Sequence, residues 1–490
     1  MMTRSSSSLV IGLTFVATLG GLLFGYDTAV ISGAVSSIDA NFIDPQHLSE
    51  TARSSLSGWT VSSALFGCII GAFVAGWVAT AFGRKGGMLI AGALFLVSAL
   101  GSAYPEFGLG SIGSMGPRAL TPFILYRILC GIGIGIASML SPLYIAEIAP
   151  SQIRGRLVSF NQLSIVGGIL LVYFVNWAIA AQGNEAWLHS TGWRLMLVSE
   201  AIPALLFLVL LTLVPDTPRW YVMRGHAERA HSLLTRLVGD AEARTIIRDI
   251  QQSLVVPTHA TGTSLFAFGT LVIVAGIMLS VFQQFVGINA VLYYAPLMFQ
   301  NLGASTDSAL WQTVIVGLAN VIFTVIAILT VDGLGRKPLL IIGGLVMGVA
   351  MLTLGFQFQA NAVGTGPLIA AIAYIAGFAL SWGPVTWVML SEMFPNSIKN
   401  RAMAIAVAAQ WIANLFVSWT FKILIGNSAL NAMFNHGLPY WIYGVMSFLA
   451  AAFVYFFVPE TKQRTLEEIQ NLWLRGAPAA TARAQPSAPG

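Results

Sequence analysis

Apolar residues in this chain fall in long runs, without the alternation of a surface strand or the single stripe of a soluble helix. Runs of about 20 residues recur, each long enough to cross a hydrocarbon core of about 30 Å as a helix. Twelve are predicted, over 9–33, 56–81, 87–103, 120–142, 156–181, 193–214, 266–300, 309–331, 338–357, 367–391, 402–426 and 438–458. One long polar interval interrupts them. Residues 219–252 are rich in Arg, Glu and Ala with leucines at helical spacing, which predicts short amphipathic helices lying on the membrane face. Turn formers over 257–264 close that interval. A further helical piece is predicted over 465–474, before an Ala/Pro/Ser-rich stretch, 476–490, whose composition favours disorder.

Composition makes the membrane reading firm. Of 490 residues, 56% are hydrophobic and 9% charged, against about 25% charged in a soluble domain. The net charge of +5 does not point to nucleic acid, because the basic residues follow the membrane. Apart from Arg53, Arg118, Arg127, Arg194 and Lys422, every Lys and Arg lies in a terminus or in a turn after an even-numbered span. Only Arg53 and Arg118 stand in the opposite turns, so both termini are expected on the cytoplasmic side. The first run holds Asp27 and lacks a cleavage site, so it is read as a span and not a leader. Cys68 and Cys130, both inside predicted spans, are read as small apolar fillers.

The halves repeat. Gly83-Arg84-Lys85 after the second span returns as Gly335-Arg336-Lys337 after the eighth. Glu147 to Arg156 after the fourth returns as Glu392 to Arg401 after the tenth, with Glu, Pro, Ile, a basic residue and Arg at the same offsets. Pro215-Asp216-Thr217 after the sixth returns as Pro459-Glu460-Thr461 after the twelfth. Three matched pairs in register indicate a duplicated half. Carboxylates and arginines at these turns, Arg84, Glu147, Arg154, Arg336, Glu392 and Arg401, are expected to pair across the cytoplasmic mouths of the two halves, as a latch for one conformation. The expected layout is 1–214, a six-helix bundle; 215–264, a cytoplasmic helical linker; 265–458, a second six-helix bundle; and 459–490, a cytoplasmic tail.

Polar residues inside the spans carry the candidate chemistry. Asp27 interrupts the first span, where an ionised carboxylate costs about 2.5–3.5 kcal/mol at a helix centre. Arg127 in span 4 and Glu200 in span 6 raise the same problem, and an Asp27–Arg127 pair is its natural solution. Span 7 carries Gln283, Gln284 and Asn289 close together, amides that donate and accept at once and so suit a hydroxyl-covered neutral ligand. For the isolated Gln162 and Gln410, sequence leaves substrate contact and helix–helix hydrogen bonding equally open. Gly383 and Pro384 interrupt span 10, where a missing backbone bond would bend the helix. No His/Cys/carboxylate metal spacing, nucleophile with its base, or phosphate loop is visible, so neither an enzyme nor a bound cofactor or metal is expected.

These residues together resemble the sugar porters of the major facilitator superfamily, and most nearly their bacterial D-xylose/proton symport branch. The likeness is carried by Phe24-Gly25-Tyr26-Asp27, the paired turn motifs, Gln283-Gln284-Phe285-Val286-Gly287-Ile288-Asn289, Ser381-Trp382-Gly383-Pro384, Ala409-Gln410-Trp411 and Pro459-Glu460-Thr461-Lys462. The resemblance implies an all-α integral membrane protein, with twelve helices in two six-helix bundles and added cytoplasmic helices, that rocks about a midplane site. It implies sugar contacts from Gln162, Gln283, Gln284, Asn289 and Gln410, an aromatic lining of Phe24, Trp387 and Trp411, an outer gate at Tyr293 and Tyr294, and a further polar contact at Asn320. It gives Asp27 the coupling proton, with Arg127 as its partner and Glu200 tuning the arginine; facilitative relatives carry a neutral residue at the aspartate's place. Ile169, seven residues after Gln162, departs from the glutamine of the xylose symporter and matches the isoleucine of animal glucose carriers.

The expected function is therefore proton-coupled uptake of a monosaccharide, D-xylose and also D-glucose, by a monomer in the cell's inner membrane. Its partners would be sugar, proton and lipid, with no nucleic acid. A facilitative uniporter is the alternative within transport. A transporter-like sensor would need a long signalling tail, and only 459–490 follow the last span.

Overall fold

The computed structural model describes residues 4–150, 153–255, 269–362, 364–395 and 398–462, and its regular structure there is helical. Twelve helices among the described residues are long and apolar enough to cross a membrane. They are α1 (Ser8–Gly33), α2 (Glu50–Ala81), α3 (Gly83–Ala103), α4 (Gly116–Ile148), α5 (Leu157–Ala180) and α6 (Glu185–Leu213), then α7 (Thr270–Asn301), α8 (Thr306–Val331), α9 (Arg336–Gln359), α10 (Gly366–Met393), α11 (Arg401–Ile425) and α12 (Leu438–Phe457). The first six form one bundle and the last six another.

Small residues set the closest helix approaches. A methyl group on Gly131 would lie 1.8 Å from the Ala64 carbonyl oxygen, so α2 and α4 touch backbone to backbone. The same holds for α1 and α5, where a methyl on Gly25 would lie 1.8 Å from the Ile165 carbonyl oxygen. This seam fixes the face of α1 that carries Asp27.

Three spans are broken, each for a local reason. In α7 the helix stops at Phe285 and restarts at Ile288, with Gly287 at φ +92°, a conformation that favours glycine. In α10 a π-helical turn, Phe378–Trp382, precedes Gly383 and Pro384. In α6, Pro203 has no N–H to give back to Ser199. The Ser199 carbonyl turns to the Ile202 N–H at 3.2 Å, and the helix breaks between Trp193–Val198 and Ala201–Leu213. Glu200 sits in that break.

Helices Pro218–Met223, Ala227–Val238 and Asp240–Val255 occupy the predicted amphipathic interval. Ala227–Val238 buries Ala230, Leu233, Leu234 and Leu237 and packs against α1. The expected helix at 465–474, the tail beyond it and the turn at 257–264 lie outside the described residues.

The repeat is visible atom by atom. Asp216 accepts the Arg84 and Lys85 backbone N–H groups at 3.1 and 3.3 Å, capping the first turn of α3; Glu460 accepts those of Arg336 and Lys337 at 3.1 and 3.0 Å, capping α9. Burial holds the Asp216 carboxyl above its ordinary range, against the opposing pull of those N–H groups. Arg84 pairs with Glu147 at 2.7 Å and Arg336 with Glu392 at 3.0 Å, while Thr217 and Thr461 donate to the same two glutamates at 2.5 and 2.6 Å. In this conformation Arg84 and Arg336 each meet a carboxylate of their own half, where a latch was expected to pair across the two mouths. The cause is topological: α3 and α4 are antiparallel neighbours, as are α9 and α10, so the start of one lies beside the end of the next. Arg401 is exposed, and the Arg154 side chain lies outside the described residues.

At the opposite, far end the halves are joined. Helix α2 lies against α11 and α5 against α8. Trp419 Nε1 donates to the Ser55 carbonyl at 2.9 Å, Trp177 Nε1 to Asp307 at 3.1 Å, and the Tyr173 hydroxyl to the Leu292 carbonyl at 2.8 Å.

Candidate functional site

Asp27 and Arg127 form an ion pair between α1 and α4, and only 1% and 2% of the two residues' surface is exposed. One carboxylate oxygen, Oδ1, takes the Arg127 guanidinium. The other, Oδ2, and the guanidinium Nε have no protein partner. A buried charge pair that is broken by losing one member costs about 3–5 kcal/mol, so the aspartate stays paired while ionised. Protonation is the event that can release it.

Glu200 reaches the same place from the break in α6, with Cys130 Sγ 3.9 Å from its Oε1. Ligand atoms of Asp27, Cys130 and Glu200 all lie within 4.8 Å of one another, a spacing open to a metal, but Arg127 already supplies the cation. Cys130, read as a small apolar filler, is buried in the core, and its thiol also faces the Glu200 carboxylate. Tyr26, one residue before Asp27, meets Ser199 at 2.7 Å through their hydroxyls and ties α1 to the α6 break. Tyr26 entered the sequence reading only as part of the Phe24-to-Asp27 motif, and Ser199 did not stand out, since serines in apolar helices ordinarily bond to their own backbone, as Ser199 also does to the Met196 carbonyl; the Pro203 that breaks α6 was the available signal.

A small cavity lies beside the pair, lined by Phe24, Asp27, Thr28, Cys68 and Arg127 of the first half and by Tyr293 and Trp411 of the second. The Phe24 and Trp411 rings meet across the halves with centroids 5.8 Å apart. The charged cluster is therefore in contact with the seam on which the two halves move.

On the second half the amides form one chain of hydrogen bonds. Asn289 Nδ2 donates to Gln284 Oε1 at 2.7 Å, Gln284 Nε2 to Gln283 Oε1 at 3.3 Å, and Gln283 Nε2 to the Trp382 carbonyl at 2.9 Å. The last acceptor belongs to the π-helical turn of α10, so the two helix breaks serve each other: one frees a carbonyl and the other aims an amide at it. Gln410 on α11 is buried with Oε1 lacking a protein partner, and Asn414, one turn on and not singled out from sequence, accepts from Ser418 at 3.1 Å.

Residues 13–473 match the family described as sugar (and other) transporter. The chain belongs to the sugar transporter family. It is 55% identical over 484 residues to the D-xylose-proton symporter of Escherichia coli strain K12, covering 96% of this chain and 97% of that protein. It is 47% identical over 473 residues to the glucose facilitated diffusion protein of Zymomonas mobilis, covering 96% and 99%. The solved inward open conformation of the xylose transporter from E. coli is 52% identical and matches with a TM-score of 0.86, over 95% of this chain and all of that one.

In this sugar transporter the sequence-expected contacts divide. Asp27, Arg127 and Glu200 come together, as do Gln283, Gln284, Asn289 and Gly383, and Phe24, Tyr293 and Trp411 share one cavity. Ile169 and Asn320 are buried on α5 and α8, and Gln162 is half-buried on α5. Trp387 is 36% exposed, away from the small cavity that Phe24 and Trp411 line.

Proposed function

We propose that the protein is a proton-coupled monosaccharide symporter that carries D-xylose, and also D-glucose, inward across a bacterial inner membrane by alternating access. The observation that carries this reading is the buried Asp27–Arg127 pair with one carboxylate oxygen unmatched, at the lining of a cavity shared by both halves. Ionised Asp27 holds Arg127; a proton taken at the carboxylate releases the guanidinium to Glu200 and loosens α1 from α4; the halves then rock about the bound sugar. Residues 1–214 and 265–458 are the moving bodies, joined by 215–264 and followed by the tail 459–490. Both termini face the cytoplasm, and the carrier works as a monomer. The second-half amides, with Gln162 and Gln410, hold the sugar hydroxyls; Phe24 and Trp411 cover its apolar faces, with Trp387, Ile169 and Asn320 completing the lining and Tyr293 acting as the outer gate. Arg84, Glu147, Arg154, Arg336, Glu392 and Arg401 gate the cytoplasmic mouth.

A facilitative uniporter is the second reading, favoured by the glucose facilitated diffusion relative and by Ile169. Uptake of labelled xylose and glucose into proteoliposomes, with and without an imposed pH gradient, separates the two. Accumulation above equilibrium only with the gradient is expected; equilibration at the same level in both conditions would establish the uniporter.

A further inference from the structure

The far end of the carrier is closed by contacts between halves, and one of them is ionic. Lys422 Nζ on α11 lies 2.9 Å from Asp39 Oδ2, which belongs to the π-helical segment Asp39–Ile43 beyond α1. We propose that Asp39 and Lys422 form the latch of the outer mouth, and that the strength of this one pair sets how often the carrier opens to that side. The proposal rests on the alternating-access reading of the protein.

Each arm of the latch is braced within its own half. Asp39 Oδ1 accepts the Ser57 hydroxyl of α2 at 2.6 Å, and Asp39 is buried. Lys422 Nζ lies 5.9 Å from the centroid of the Tyr294 ring, which belongs to the second half. Both side chains are thus aimed before they meet, and little rotamer freedom is lost on closing. The ion pairs Arg84–Glu147, Arg194–Glu106, Arg127–Asp27 and Arg336–Glu392 each join elements of one half. The Asp39–Lys422 pair instead spans the seam that rocking must open.

Beside the pair, small residues bring the two halves close. A methyl on Gly58 would lie 2.6 Å from the Trp419 carbonyl oxygen, and one on Gly426 would lie 2.0 Å from Ser54 Oγ. A cavity of about 370 Å³ borders the pair, lined by Asp39 and Lys422 together with Ser36, His189, Gln300 and His436. Its polar wall lets both charges be solvated as they part, so the latch can break without stranding a charge in an apolar medium. An inter-half ion pair with a wet exit is a reversible strut: strong when closed, cheap to release.

The test reads opening itself. The thiol of Ser54→Cys, at a position 5% exposed where Gly426 of α11 packs on it at the wall of that cavity, reacts faster with a membrane-impermeant maleimide when α2 and α11 separate. Labelling of the protein lacking this cysteine is subtracted; its own Cys68 and Cys130 are buried. Replacing both partners, Asp39→Asn with Lys422→Met, removes the attraction without leaving an unpaired charge, and labelling is expected to speed about tenfold, the ratio that about 1.4 kcal/mol sets. Lys422→Arg keeps the pair and is expected to label at the parent rate. Ser57→Ala leaves both charges but frees Asp39, and is expected to give an intermediate rate in a carrier whose fold is untouched. Parent-rate labelling in the double variant and in Ser57→Ala would overturn the latch. Labelling reports opening whether or not sugar moves, so failure of the transport reading shows separately, as a parent protein that takes up neither xylose nor glucose.

Discussion

Arg127 on α4 holds one oxygen of the Asp27 carboxylate on α1, and the other oxygen has no protein partner. A proton on that free oxygen cancels the charge Arg127 was drawn to, while Glu200 waits beside the same cluster. Asp27→Asn keeps the shape and removes the titration. With one proton coupled, each pH unit of gradient supports about tenfold sugar accumulation, from about 1.4 kcal/mol per unit. In proteoliposomes the variant is expected to lose that accumulation altogether and to keep sugar exchange. Gradient-driven accumulation by Asp27→Asn at the parent level would remove Asp27 from the coupling step.

Gln283 anchors the amide chain to the Trp382 carbonyl, so on the proposed reading its loss acts twice: a sugar contact disappears, and Gln284 and Asn289 lose the orientation that runs through it. Leaving a buried polar group without its partner costs about 1–3 kcal/mol. Gln283→Leu is expected to raise the KM for sugar by about 10- to 100-fold, at about 1.4 kcal/mol per decade. Parent-level KM in radiolabelled uptake would show that the chain is scaffolding and not a sugar contact.

The charged groups were the legible part of this site, because an Asp, an Arg and a Glu in apolar runs stand out against everything around them. The duplicated turns were legible for the same reason, but their geometry was not. Arg84 and Glu147 could be placed at the basic end from sequence, yet which half supplied each partner depended on the antiparallel contact of α3 with α4. The part played by Asp216 and Glu460 in capping α3 and α9 was equally hidden, since a Pro-Asp-Thr or Pro-Glu-Thr turn does not say which N–H groups it will meet. The contact of Cys130 with Glu200 was hidden because thiols in apolar helices read as filler; only the break that Pro203 makes in α6 turns Glu200 toward it. The far-end pair escaped for a different reason: Asp39 and Lys422 are 383 positions apart, and each alone reads as an ordinary residue at a helix end.

Ile169 is buried on α5, two turns from Gln162 and on the same helical face. An apolar wall there cannot reject a sugar for lacking a hydrogen bond, whereas an amide at this place would be left unpaired by a poorly fitting ligand. Ile169→Gln is expected to shift the ratio of xylose to glucose uptake by about tenfold toward xylose, within the range set by one lost or gained polar contact. Competition of each labelled sugar against the other measures it, and an unchanged ratio would take Ile169 out of the selectivity filter.

Arg194 at the far end of α6 grips Glu106 of the α3–α4 connection with both terminal nitrogens, at 2.9 and 2.7 Å, and also donates to the Ala103 carbonyl at 2.8 Å. Burial pushes the Glu106 carboxyl up, but the Arg194 hydrogen bonds and charge outweigh it and hold the group below its ordinary value. The depressed folded value fixes the sign of the linkage. This pair's contribution to stability is fully present above the unfolded glutamate pKa of about 4.3, and it is lost as pH falls through the lower folded value. Glu106→Gln removes the ionic part at every pH. The difference in melting temperature between parent and variant in detergent is therefore expected to be constant above about pH 5.5 and to shrink as pH is lowered through the carboxylate range near 4. A difference that stayed the same down to pH 3 would mean that Glu106 contributes by packing and not by charge.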